Sequence, residues 1–128
     1  MIKRYSTGAK WEGIVGYSRA VQVDSTLEVS GTVATNDQGE VVGPGSAYEQ
    51  TKYILQKIGR VLESAGFSFE DVVRTRLFVT DISQWEEVGR AHGEVFSRIR
   101  PATSMLEVSK LIDPAYLVEI EVTAIKEA

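Results

Sequence analysis

Glu119 and Glu121 lie two residues apart in the run YLVEIEVTAI. On a strand, that spacing sends both carboxylates to one face. A carboxylate in a partly buried setting can orient or activate a water, because burial lifts its pKa toward the working pH. The run VVRTRLFVT carries Arg74 and Arg76 at the same spacing. These two cations can neutralise the glutamates across a sheet. On these residues alone ion pairing is the simpler account, and water activation stays open. His92, the single histidine, is a candidate general base. It also falls in helical register with Val88 and Phe96, and a packed helix position accounts for it more simply.

Other chemistries find few residues to carry them. The chain has no cysteine, which excludes a disulfide framework, a thiol nucleophile and cysteine-bound metal. One histidine cannot build a histidine-rich zinc site, so no metal or cofactor is expected. Gly43-Pro44-Gly45 lacks the spacing of a phosphate loop, and no Lys-Ser or Lys-Thr follows it. The stretch GAKWEGIVG, residues 8 to 16, neither follows a strand nor opens a helix, so a dinucleotide fingerprint is not supported. No serine sits in a nucleophile-elbow context. The net charge of −4 is a poor match for a phosphate backbone, and the aromatic residues are scattered without basic interleaving. Nucleic acid is therefore an unfavoured partner. The opening MIKRYSTGAKWEG has no apolar signal core, and no run approaches a membrane span. A cytoplasmic location is the default expectation.

The positioning elements can be read from patterning. At 128 residues with 43% hydrophobic and 25% charged side chains, the chain fits one soluble domain, 1–128. No repeat or linker interrupts it; residues 35 to 46 read as turns. One helix opens at Ser46, with Glu49 placed to complete a capping box. Ile54, Leu55, Ile58, Val61, Leu62 and Ala65 follow as its apolar stripe, and Gly66 is placed to stop it. A second helix repeats the device with Ser83 and Glu86. Its predicted apolar face is Trp85, Val88, His92, Val95, Phe96 and Ile99, and Pro101 ends it. Strands are predicted over 14–23, 26–34, 72–80, 102–109 and 116–126. The order is ββ-α-β-α-ββ, in the α+β class, with both helices covering one face of a sheet. Alternation places Val73, Thr75, Leu77 and Val79 on one face of their strand, and Arg74, Arg76, Phe78 and Thr80 on the other. Val118, Ile120, Val122 and Ala124 alternate likewise with Leu117, Glu119, Glu121 and Thr123. In the fifth strand, Leu106 and Val108 read as core, which would send Met105 and Glu107 to the charged face. That second face is too apolar for free solvent and too charged for a core, so a self-association surface is favoured.

Three segments together resemble the reactive intermediate deaminase family, also called YjgF or Rid and labelled endoribonuclease L-PSP. They are GYSRAVQVDSTLEVSG, VLESAGFSFEDVVRTRLFVTDISQWEEV and RPATSMLEVSKLIDPAYLVEIEVTAI. The resemblance runs from Gly16 to Ile125, and its most specific part is the C-terminal block. It implies a chorismate-mutase-like fold with a mixed sheet and two helices on one face. It also implies a homotrimer whose sheets line a central barrel, with ligand clefts between subunits. Active members hydrolyse small imine or enamine acids to 2-keto acids and ammonia without a cofactor. Ribonuclease or translation inhibition is the other activity the family's names suggest; the acidic balance ranks it last.

On that resemblance, Tyr17 matches a cleft tyrosine, Ser30 and Gly31 a cleft Ser-Gly pair, and Glu119 the glutamate that positions water. Thr103 stands where active deaminases carry the arginine that grips the substrate carboxylate. Gly89 stands where many have a helix asparagine. The candidate residues are thus Glu119 as catalyst, with Tyr17, Ser30, Gly31, Gly89, Thr103 and Met105 as ligand-lining positions. Replacing a charge-assisted pair by one neutral hydroxyl removes on the order of 2 kcal/mol or more of carboxylate binding. Arg74, Arg76 and Arg100 are the cations that could replace it. The resemblance therefore implies a divergent branch, acting on an imine or enamine other than the usual 2-imino acids, or binding a small metabolite without turning it over.

Overall fold

Val118, Ile120, Val122 and Ala124 are at most 1% exposed, while the alternating Glu119, Glu121 and Thr123 are half-buried. The computed structural model describes residues 1–127 and shows how the rest of the chain serves that strand. The elements are β1 (Ile2–Tyr5), β2 (Ala20–Val23), β3 (Thr26–Thr32), α1 (Ala47–Ser64), β4 (Val72–Val79), α2 (Trp85–Phe96), β5 (Ala102–Glu107) and β6 (Val118–Ile125). They form one six-stranded sheet in the order β1-β2-β3-β6-β4-β5. Only β4 and β5 run parallel, joined through α2; every other pair is antiparallel. The mixed α+β sheet matches the expected class. Buried side chains of both helices and of the inward strand faces make a single core.

α1 starts where Ser46 Oγ accepts from the Glu49 amide at 3.1 Å. The Glu49 side chain does not return the bond: the Ser46 amide donates to the Gly43 carbonyl instead. The predicted box is thus a single cap. Gly66 adopts φ +81°, and the Phe67 amide reaches back to the Leu62 carbonyl at 2.8 Å, closing the helix.

Several expectations need correction. The N-terminal segment supplies an additional edge strand, β1. Residues 14–16, expected to open a strand, belong instead to a single π-helical turn over Glu12–Gly16, and β2 begins only at Ala20. The second capping box does not form. Asp81 Oδ1 takes the Ser83 amide at 3.0 Å and the Ser83 hydroxyl at 2.6 Å, capping a short 3-10 turn before α2. α2 ends at Phe96, well before Pro101, and Trp85 is 55% exposed rather than part of the buried face.

Two strands also change face. In β4, Val72 pairs with Ala124 and Arg74 with Thr123, leaving Val73 as an extra residue. This bulge turns Val73 outward, 43% exposed, and puts Val72 in the core. In β5, Thr103 stands beside Thr75, Met105 beside Leu77, and Leu106 beside Phe78. Adjacent partners share a face, so Thr103, Met105 and Glu107 lie on the helix side. Leu106, expected in the core, is 48% exposed on the other side. The short apolar pattern of β5 fits both phases, and pairing with β4 selects between them.

Candidate active site between two faces of the sheet

Glu119 owes its place to a defect in β3. Val29 pairs with Val122 and Thr32 with Ile120, so Ser30 and Gly31 together oppose Glu121. Such a bulge bends a strand and re-aims its neighbours. The Glu119 side chain lies across Gly31: a methyl group added there would come within 2.9 Å of its Cδ and closer still to Oε2. Gly31 has no positive φ, so its missing side chain matters for space: a larger residue would displace the Glu119 carboxylate from this place.

The carboxylate of Glu119 is held above its usual pKa, chiefly by burial and secondarily by Glu121, while Arg19 pulls the other way. Among the described residues it makes no hydrogen bond. The expected ion pairs to Arg74 and Arg76 do not form. Arg76 stands beside Glu121 in register without closing to it, and Arg74 Nη2 donates to Ser104 Oγ at 2.7 Å. Glu119 is therefore an uncommitted carboxylate in a partly dry setting, the condition a water-activating base requires.

Arg19 is the partner that sequence reasoning missed. It is 8% exposed; Nη1 donates to the Gly31 carbonyl and to Thr32 Oγ1, each at 3.0 Å. The guanidinium carbon lies 5.5 Å from the centre of the Tyr17 ring. Its Nε is buried without a hydrogen bond, 4.0 Å from Glu12 Oε2. Glu12 is also buried and receives Ser6 Oγ at 2.6 Å and Thr7 Oγ1 at 2.7 Å. Burial alone would raise its pKa, but these hydrogen bonds and Arg19 bring it below the usual value. Ser30 Oγ donates to the Ser18 carbonyl at 2.7 Å. Tyr17, Ser30, Gly31 and Glu119 thus meet around Arg19. An open depression of about 600 Å³, bordered by Tyr17, Ser18, Ser30 and the turn at residues 12–16, lies alongside. The alternation of Tyr17 with Arg19 was a usable signal for Arg19; Glu12, in an irregular turn, offered none.

Thr103 and Met105 sit elsewhere. They occupy the helix face near α2, whereas Glu119 occupies the opposite face. Thr103 Oγ1 lies 2.8 Å from Thr75 Oγ1 and donates to the Pro101 carbonyl at 3.0 Å. Thr75 Oγ1 is in turn 2.9 Å from His92 Nε2. His92 packs against the Phe96 ring at 4.7 Å, and burial lowers its pKa, which favours neutral imidazole. It is a packed residue, as its register suggested, and also the end of a hydrogen-bonded chain. Thr75, fully buried, had a legible signal as a hydroxyl among apolar neighbours, since such groups are almost always paired. Gly89 lies three residues before His92 on the same helix. Arg100, with φ 56°, turns its Nε back to the Ser97 carbonyl at 3.0 Å. One chain therefore presents two separate groups of candidate residues on opposite faces of its sheet.

Comparison with known proteins agrees with this architecture. The family model described as Endoribonuclease L-PSP matches residues 7–126. An uncharacterised protein of Streptomyces coelicolor is 36% identical over 99% of this chain and 94% of its own. The human 2-iminobutanoate/2-iminopropanoate deaminase is 32% identical over 98% of this chain and 92% of its own. A crystal structure of Rv2704 from Mycobacterium tuberculosis, of the YjgF/YER057c/UK114 family, superposes with a TM-score of 0.89 at 44% identity, covering 98% of this chain and all of that one. Matches of this length in both sequence and fold make the chain a member of the Rid/YjgF family, the endoribonuclease L-PSP group.

Proposed function

We propose that this protein is a trimeric Rid-type hydrolase that deaminates a small imine or enamine in clefts between subunits. The observation that carries this reading is the Glu119 carboxylate: half-buried, lying across Gly31 and free of hydrogen bonds among the described residues. A base in that condition takes a proton from water as the water oxygen bonds to the imine carbon. Both protons of that water pass to nitrogen through the carboxylate: the first completes the carbinolamine, and the second leaves its hydroxyl as the C=O bond forms and the C–N bond breaks, releasing ammonia. The sum is imine plus water giving carbonyl plus ammonia, so no cofactor enters the balance. The resemblance to the human 2-iminobutanoate/2-iminopropanoate deaminase supports this reaction class.

The two half-sites on opposite faces support assembly from more than one copy, since a ligand bridging Glu119 and Thr103 needs one face from each. Three sheets lining a central barrel would also cover the half-buried charged face carrying Arg76 and Glu121. A metabolite-binding trimer without turnover is the second reading, favoured by threonine at position 103. Ammonia release from freshly generated 2-aminoacrylate and from a set of neutral imines separates the two. The hydrolase reading expects wild type to exceed the uncatalysed rate on at least one substrate, and Glu119→Ala to lose at least about 100-fold, the scale of a general base. Equal rates for wild type, Glu119→Ala and buffer on all of them leave the binding reading.

A further inference from the structure

The chain His92–Thr75–Thr103–Pro101 determines what Thr103 can offer a ligand. A hydroxyl has one proton and two lone pairs. The Pro101 carbonyl can only accept, and Thr103 Oγ1 donates to it at 3.0 Å. Thr75 then donates to Thr103 across 2.8 Å, and His92 donates from Nε2 to Thr75 across 2.9 Å. If the chain runs the other way, Thr103 donates to Thr75 and Thr75 to His92. In both directions the single proton of Thr103 is consumed within the protein, which leaves at least one oxygen lone pair unused on this exposed residue. Arg74 and Arg76 project from the opposite face of the sheet, so neither offers its charge on this side.

We propose that Thr103 is a hydrogen-bond acceptor that makes this half-site select ligands bearing a donor group, such as a primary amide or hydroxyl, over carboxylates. His92, acting through Thr75, is a positioning residue that holds the acceptor in place. The proposal rests on Thr103 lining the cleft, and it names the substrate class of that cleft: amide or hydroxyl counterparts of the imino acids. A carboxylate brought to Thr103 would set oxygen against oxygen or force the hydroxyl to abandon its partner.

The test uses 2-oxobutanamide and 2-oxobutanoate, which share a carbon skeleton and differ only in the group offered to Thr103. Binding to the intact protein is followed by two-dimensional NMR titration. Wild type is expected to bind the amide about tenfold more tightly, the worth of one well-made hydrogen bond. Thr103→Ser keeps that preference, Thr103→Val reduces it to within about twofold, and Thr103→Arg reverses it. His92→Phe keeps the ring packing and weakens the preference without abolishing it. Equal or tighter binding of the acid by wild type, a preference that survives Thr103→Val, or no binding of either probe up to its solubility limit overturns the proposal. The ammonia assay separates the two claims: an amide preference in a wild-type protein that releases no ammonia from any of the imines removes the hydrolase reading and leaves this one standing.

Discussion

At the scale of single residues, the two carboxylates near Arg19 are driven in opposite directions. Glu119 is raised by burial and by Glu121, with Arg19 opposing; Glu12 is lowered because its hydrogen bonds outweigh burial. If Glu119 is the base, the acid limb of kcat/KM against pH lies above the usual glutamate value of 4.5. Glu121→Gln removes one raising charge and leaves burial in place, so the limb moves down without returning to 4.5. A limb unmoved by that change assigns the titration to another group. For stability the signs also differ. The contribution of Glu119 is complete below 4.5 and is lost as pH rises through its raised folded value. That of Glu12 is present above 4.5 and is lost as pH falls through its lowered one. The chemistry of Glu119 was legible as one of two paired glutamates. Its lack of a counter-ion was not, because register alone does not say whether Arg76 and Glu121 will close.

At the scale of elements, the helices were legible and their caps only partly so. Ser46 accepts from the Glu49 amide, but the glutamate side chain does not complete the box. Ser46→Ala should therefore cost about 1 kcal/mol in urea unfolding. Glu49→Gln should cost only a few tenths, about the loss of one charge near a helix N-terminus. Equal costs would mean that the reciprocal bond forms in solution. The strands show the stronger limit on sequence reading. β6 alternates strictly over eight residues and is buried on one side as its pattern requires. β5, at six residues, carries a threonine, a methionine and a leucine that fit either phase, and its register with β4 selects the one that sends Thr103 to the helix side. The bulge at Ser30–Gly31 is likewise invisible in sequence, because Gly31 is there to make room for a residue almost ninety positions away.

At the scale of the whole molecule, the two half-sites give the proposed assembly a direct test. Glu119→Ala disables one half and Thr103→Trp blocks the other, and each trimer alone should be inactive. Unfolding and refolding the two together should restore about one quarter of wild-type activity, the share of interfaces pairing two intact halves in a cyclic oligomer. Sedimentation checks that the mixture is trimeric. No recovery from a correctly assembled mixture would mean that Glu119 and Thr103 do not complete a shared site between subunits. By itself, the sequence determined the α+β class, both helices, the core face of β6 and the residues able to do chemistry, because these follow from local periodicity and side-chain type. The tertiary structure decided which of them meet. It joined Arg19 to Gly31 and Glu119, linked His92 to Thr103 through Thr75, and put the two groups on opposite faces. Those outcomes depend on strand register and on a one-residue bulge. Both are set by pairing between distant segments, which no local pattern records.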